Sequence, residues 1–289
     1  MSILGFGNWR FGKSEHICLR HSEHILICNK VLLKNKHLLI GITRVRNESL
    51  ILQDTLDYLG TQVDAIVAYD DASTDDTLVI LQSHPKVAMV IKNTLWESDI
   101  AARLAAETRH RGLLLQISRS KLTFEWALCF DADERIVGDL RGFMNSPSSS
   151  QCEGVRIQLF DAYITPQDHL PFKQGNNLLN FRQFFGPERR DILMLWRNLP
   201  NVRYMGIDAR EPTGVNKIVT SFHCQHYGKA ISLEQWEETC DYYVKYFPFE
   251  TYGQKWLDRK GLAIHTESDY ARPLFRWSRE LFDNSVVIN

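Results

Sequence analysis

Residues 38–71, LLIGITRVRNESLILQDTLDYLGTQVDAIVAYDD, decide the fold class. They hold two continuous apolar runs, Leu38-Leu39-Ile40-Gly41-Ile42 and Ala65-Ile66-Val67-Ala68-Tyr69, separated by leucines at helical spacing (Leu52, Leu56, Leu59). Unbroken apolar runs of this length read as strands buried on both faces, and the i, i+4, i+7 spacing reads as the inner stripe of a helix. The rhythm continues. Ser73-Thr74-Asp75-Asp76 supply N-cap chemistry for a helix through Leu78 and Leu81, and Val87-Ala88-Met89-Val90-Ile91 is a third strand. A helix from about Asp99 to Arg119 leads into a fourth strand, Trp126-Ala127-Leu128-Cys129-Phe130. Alternation of this kind predicts an α/β fold with a mostly parallel central sheet flanked by helices.

In such sheets ligands collect at the carboxyl ends of the strands. Here those ends carry Thr43 to Glu48, Asp70-Asp71 and Asp131-Ala132-Asp133. Side chains at i and i+2 of an extended segment point the same way, so Asp131 and Asp133 project together and repel unless a cation intervenes. A hard divalent ion completed by substrate phosphate oxygens satisfies them. The bland alternatives are a solvated turn for Asp131 and Asp133, turn and cap chemistry for Asp70 and Asp71, and a favourable helix N-terminal charge for Glu48.

The 289 residues are 44% apolar and 24% charged with a net charge of −1, the balance of an ordinary globular chain with no field to draw nucleic acid. An anionic ligand therefore needs a local set of basic groups or a metal. Six scattered cysteines without a C-x-x-C pair predict reduced thiols and a reducing compartment. No apolar run is long enough to span a bilayer. The chain is thus expected in the cytoplasm, with peripheral membrane contact left open. Three regions are predicted: an N-terminal extension over 1–37, a core over 38–230, and a helical segment over 231–289 packed on that core. An amphipathic helix is expected from Leu233 to Phe247, with Trp236, Cys240, Tyr243 and Phe247 on one face.

Taken in order, Ile42-Thr43-Arg44-Val45-Arg46-Asn47-Glu48, Tyr69-Asp70-Asp71-Ala72-Ser73-Thr74-Asp75-Asp76-Thr77, Phe130-Asp131-Ala132-Asp133-Glu134 and His226-Tyr227-Gly228 resemble the signatures of family 2 glycosyltransferases of the GT-A fold. The resemblance covers about residues 38 to 245. It implies a metal-dependent transfer of a hexosyl group, with inversion, from a nucleotide-diphosphate-sugar donor (a UDP-sugar first, a GDP-sugar second) to a hydroxyl of a glycan or other acceptor. By the same resemblance Thr43, Arg46, Glu48, Asp70 and Asp71 would line the nucleotide pocket, and Arg111 would face the diphosphate. Gly112 stands where the family has asparagine, which leaves the choice among Arg109, His110 and Arg111 open. Asp131 would approach the ribose or the metal, Asp133 would ligate the metal, and His226 would close its shell. Mn²⁺ or Mg²⁺ suits this oxygen-rich set with one nitrogen. Asp191, Asp208 and Glu211 are the candidate bases in the irregular half. Glu211 ranks first among them because it ends a segment resembling the family's His-Glu, with Arg210 in place of the histidine.

Other readings compete. The histidines His223 and His226 lack the second ligand cluster that a structural zinc needs, so His226 is taken as ligand and His223 as packing. The arginines at 109, 111 and 119 read most simply as a solvated helix face, and the aromatic run from Tyr242 to Tyr252 as core. A nucleotidyltransferase would share the strand-end carboxylates but needs a glycine-rich phosphate loop, and Gly41 is the lone glycine near the first strand. A non-catalytic nucleotide-sugar or glycan binder is the other rival.

Overall fold

In the computed structural model, residues 6–11, 14–21, 24–207 and 209–288 are described, with side chains from residue 24 onward. Three strands come first: β1 (Phe6–Phe11), β2 (Ser14–His21) and β3 (His24–Asn29). The crossover units follow: β4 (Lys36–Val45), α1 (Leu52–Gly60), β5 (Ala65–Asp70), α2 (Thr77–Ser83), β6 (Val87–Asn93), α3 (Ile100–Lys121) and β7 (Thr123–Phe130). The second half holds β8 (Glu134–Val137), α4 (Leu140–Met144), α5 (Pro147–Ser150), β9 (Gly154–Ala162), β10 (Phe184–Arg197) and β11 (Ile218–His226). Last come α6 (Leu233–Tyr246), α7 (Gln254–Arg259), β12 (Phe275–Arg276), α8 (Arg279–Asp283) and β13 (Val286–Val287).

The strands run β1-β2-β3-β6-β5-β4-β7-β10-β9-β11-β8 across one sheet. Its centre, β6-β5-β4-β7, is parallel, as the continuous apolar runs predict. Alternate residues feed two cores. Leu39, Ile66 and Ala68 meet Leu52, Leu56 and Leu59 of α1 on one face. Ile40, Ile42, Val67 and Tyr69 meet Leu114, Leu115 and Ile117 of α3 on the other. Each fully buried Leu or Ile contributes about 1.5–3 kcal/mol, so this double-sided packing fixes the register. Gly41 is required inside β4 because a Cβ there would stand 2.8 Å from the Phe130 ring.

Several elements differ from the sequence expectation. The first strand runs beyond the apolar stretch 38–42, because β4 stays paired with β5 as far as Val45 and Asp70. The cap of α2 is made by Asp75, whose Oδ1 accepts from Thr77 N at 3.0 Å, while Asp76 at the N-cap position makes no side-chain bond. Residues set apart as an extension carry β3, which pairs antiparallel with β6 and continues the sheet. The C-terminal segment contains helices α6 and α7, then returns to the sheet, where β12 and β13 both pair with β10. The five cysteines whose side chains are described are all buried. No helix of the described residues is long and apolar enough to cross a membrane.

Candidate active site

A cleft of about 920 Å³ opens over the carboxyl ends of β4 and β7 and is walled on the far side by α6 and α7. Arg46, Glu48, Arg111, Asp131, Asp133 and His226 of the predicted set all line it. Strand pairing brings the distant members together. In β11, His226 sits opposite Glu134 of β8 and beside Asp161 of β9, and Tyr227 N donates to Asp133 O at 2.9 Å. Ninety-odd residues of chain thus close onto one point.

There the His226 ring is held between two carboxylates. Nδ1 lies 2.7 Å from Asp161 Oδ1 and Nε2 lies 3.3 Å from Asp133 Oδ2. Burial pulls the imidazole pKa down, but the two carboxylates outweigh it and push it up to about 10. Asp161 is fixed in turn by Arg190 at 2.6 Å and Lys229 at 3.2 Å. Burial opposes its ionisation, and those cations hold it well below the usual carboxylate range all the same. Gly228 keeps the spot open: a Cβ there would stand 2.8 Å from Asp133 Oδ2 and 2.9 Å from His226 Nε2.

Asp131 faces different company. Its Oδ1 accepts from Arg111 Nη2 at 3.1 Å, and its Oδ2 lies 3.0 Å from Arg210 Nη1. Arg210 also forks onto Glu134 with two 2.7 Å bonds, and Glu134 Oε2 accepts the Asp131 backbone N–H at 2.8 Å. Against the cost of burial, Arg210 and Arg111 depress the Asp131 pKa, whereas burial raises that of Glu134 despite Arg210. The i, i+2 pair is therefore divided: Asp131 is neutralised by arginines, while Asp133 has, among the described residues, only His226. Across the cleft Glu48 has no hydrogen-bond partner for its carboxylate among the described residues. Burial first, then Asp133 and Asp131, raise its pKa well above the usual value.

The β5 end lies behind this wall. Asp70 and Asp71 are buried and do not line the cleft, and neither does Thr43. Asp71 accepts from Arg44 at 2.6 Å, Arg103 at 2.9 Å and Asn93 at 3.0 Å. Asp70 Oδ1 accepts from Ser73 N at 3.2 Å, and its Oδ2 has no partner among the described residues. Arg46 donates to Asp71 O at 2.6 Å and Ala72 O at 2.7 Å and lies over the Trp96 ring at 4.3 Å. The loops after β4 and β5 are cross-braced by Thr74 N donating to Asn47 Oδ1 at 2.8 Å, with Asn47 and Ala72 both at φ 54°. For alanine that is a strained conformation of the kind functional loops retain.

The candidate bases stand elsewhere. Glu211 is held bidentately by Arg156 at 2.8 Å, and the same arginine donates to the Asp191 carbonyl. Asp191 pairs with Arg189, and neither carboxylate lines the cleft. Asp208 lies outside the described residues. His223 stacks on Phe282 at 4.0 Å, a packing role. The arginines of α3 are not a solvated face. Arg103 and Arg111 are buried, because that helix lays its charged side over the acidic strand ends. Arg119 donates to Asn198, Leu199 and Val202, and Arg109 alone is substantially exposed, on Glu97.

Sequence reasoning missed Asp161, Arg190 and Lys229. A signal existed for the first: Asp161 follows the alternating strand pattern Val155-Arg156-Ile157-Gln158-Leu159-Phe160, but no motif marked it. As a metal site, no group of three His, Cys, Asp or Glu converges among the described residues. The convergent donors are Asp133 and His226, and Asp161 orients the ring so that Nε2 faces inward. Two protein donors plus phosphate oxygens fit a Mg²⁺- or Mn²⁺-type site that substrate completes.

No family model matches the sequence, and no curated protein matches it. Among solved structures the chain is similar to the mannosyltransferase PcManGT from Pyrobaculum calidifontis, solved with GDP-Man and Mn²⁺: TM-score 0.39, 16% identity, 74% of this chain and 64% of that one. It is similar too to HddC from Yersinia pseudotuberculosis, at TM-score 0.35 and 14% identity over 71% of this chain and 98% of that one. A Bacillus anthracis protein assigned as a glucose-1-phosphate thymidylyltransferase, in complex with a sucrose, gives TM-score 0.31 and 11% identity over 80% and 87%. This chain spans less than two thirds of the mannosyltransferase. Likenesses at this level assign neither family nor activity, and the chemistry is argued from the cleft.

Proposed function

We propose that this chain is a GT-A-type glycosyltransferase that moves a sugar from a nucleotide-diphosphate donor to an acceptor hydroxyl. The observation that carries the reading is the Asp133–His226–Asp161 array at the strand ends, faced by Arg111, Arg190, Arg210 and Lys229 in one cleft. A nucleoside diphosphate leaving group carries new charge, and fixed cations aimed at it lower the barrier to its departure. A divalent ion bound by Asp133 and His226 would add Lewis-acid stabilisation of the departing phosphate. Asp161 keeps the His226 ring in register, and Arg210 holds Asp131 ionised and away from that pair. Glu48 and Arg46 form the donor-side rim, with Asp70 and Asp71 bracing it from beneath. Glu211 can serve as base only after leaving its bidentate pair with Arg156.

Titration of the protein with UDP, GDP and CMP by calorimetry, with and without Mn²⁺, tests the donor half. One nucleoside diphosphate is expected to bind in the micromolar range with Mn²⁺ and at least about tenfold more weakly without it. Absence of binding by every nucleotide would remove the donor site.

A further inference from the structure

The α6–α7 wall of the cleft differs chemically from the strand ends. Tyr243 stacks on Trp256 with centroids 4.7 Å apart and planes 6° apart, and Tyr252 lies nearly parallel to Tyr243 at 6.3 Å and 16°. All three rings line the cleft and stay only half-buried. Tyr243 and Tyr252 are not simple core, as the sequence suggested, because the inward face of α6 is completed by Trp236 and Cys240, 1% and 0% exposed. Tyr243 and Trp256 cover one face of each other, and Arg259 lies over the Trp256 ring at 5.2 Å. What the wall offers a ligand is the half-exposed rim of the stack with polar neighbours beside it, a surface for the C–H groups of a pyranose. Gln235, Thr239 and Glu238 stand beside them with groups that can bond sugar hydroxyls.

The cations on this wall are unequal. Lys229 and Arg259 both pair with Asp269, at 2.6 and 2.8 Å. Lys255 lines the same wall with no carboxylate at ion-pair distance among the described residues. Burial, then the Arg259 charge, lowers its pKa. A cation crowded by other cations gains most from an incoming anion. The charges of Lys255, Arg259 and Glu238 among the rings also disfavour an acyl chain, which would desolvate them.

We propose that this wall is the acceptor subsite and that the acceptor is an anionic glycan, its pyranose ring packed on the rim of the Trp256–Tyr243–Tyr252 stack and its carboxylate or phosphate paired with Lys255. The inference rests on the glycosyl-transfer reading for the word acceptor, but its test needs no turnover. Ligand-observed NMR on the full chain, without donor, would compare three disaccharides of the same rings: one uronate-bearing, one phosphorylated, one neutral.

One anionic ligand is expected to bind about tenfold more tightly than the neutral one, the scale of a charge-assisted hydrogen bond, and which one does so names the anion. Lys255→Ala should erase that preference. Trp256→Ala should weaken all binding, and Trp256→Tyr, which keeps a ring and the fold, should restore most of it. Equal affinity for neutral and anionic ligands, or a preference that survives Lys255→Ala, would overturn the proposal. A chain that binds the anionic glycan in this way yet cleaves no nucleotide sugar would retain the subsite and lose the transferase reading.

Discussion

Replacing Asp133 with alanine is expected to lower turnover by about 10²–10³-fold, the scale of losing one charge-stabilising group at a reacting centre, while thermal stability stays near wild type. The asymmetry follows from its surroundings. Asp133 is partly exposed, and among the described residues its carboxylate has His226 alone as an ion-pair partner. Removing it strands no buried cation, since His226 keeps Asp161 at 2.7 Å. What is lost is one of two convergent donors at the point where Gly228 leaves room. Nucleotide binding should also lose its dependence on Mn²⁺. Turnover and metal dependence both preserved in the variant would sink the metal role of the pair. A stability loss as large as the activity loss would recast Asp133 as a structural residue.

The opposite behaviour is expected of Asp71. Its alanine variant should be destabilised by about 3–5 kcal/mol, the cost of breaking a buried ion pair from one side, with a matching drop in the midpoint of chemical unfolding. Asp71 is fully buried and takes bonds from Arg44, Arg103 and Asn93. Truncation leaves two guanidinium groups inside the protein with reduced compensation. Among the described residues Arg103 has one further hydrogen bond, to the Glu97 carbonyl at 3.3 Å, whereas Arg44 retains Glu107.

The pH dependence has a definite sign. Burial opposes ionisation of Asp71, but Arg44 and Arg103 hold its folded pKa below the unfolded value. Its stabilisation is therefore complete above about pH 4, the unfolded carboxylate range, and is lost as pH falls through the folded value. In the alanine variant that part of the acid-side slope disappears. An Asp71→Ala protein with unchanged unfolding midpoint would contradict the buried-pair account.

The legibility of the fold in the sequence followed burial. Strands buried on both faces, β4 to β7, announce themselves as continuous apolar runs, and α1 announces itself by three leucines on one stripe. The second half was less readable. The 14-residue β10 contains Glu188, Arg189, Arg190 and Asp191 at its centre, and a strand whose middle is charged has no apolar run to find. Those charges are also why the site was half seen. Asp131, Asp133 and His226 sit in recognisable motifs, but Asp161, Arg190 and Lys229 meet them only through the β9–β10–β11 register. Burial of Arg103 and Arg111 was likewise invisible, because helical spacing cannot say that a helix lays its arginines on carboxylates. Asp70 and Asp71 look alike in sequence, yet one is solidly ion-paired and the other keeps an unpartnered oxygen.

The central claim is that this cleft breaks a sugar–phosphate bond and releases a nucleoside diphosphate. Incubating the protein with UDP- and GDP-sugars plus Mn²⁺, with a glycan acceptor present, and identifying the phosphate product tests it most directly. Free UDP or GDP, formed with Mn²⁺ and absent with Asp133→Ala, is the predicted result. Pyrophosphate formed from a nucleoside triphosphate and a sugar phosphate would make the chain a nucleotidyltransferase, and no phosphate product above background would make it a binding protein.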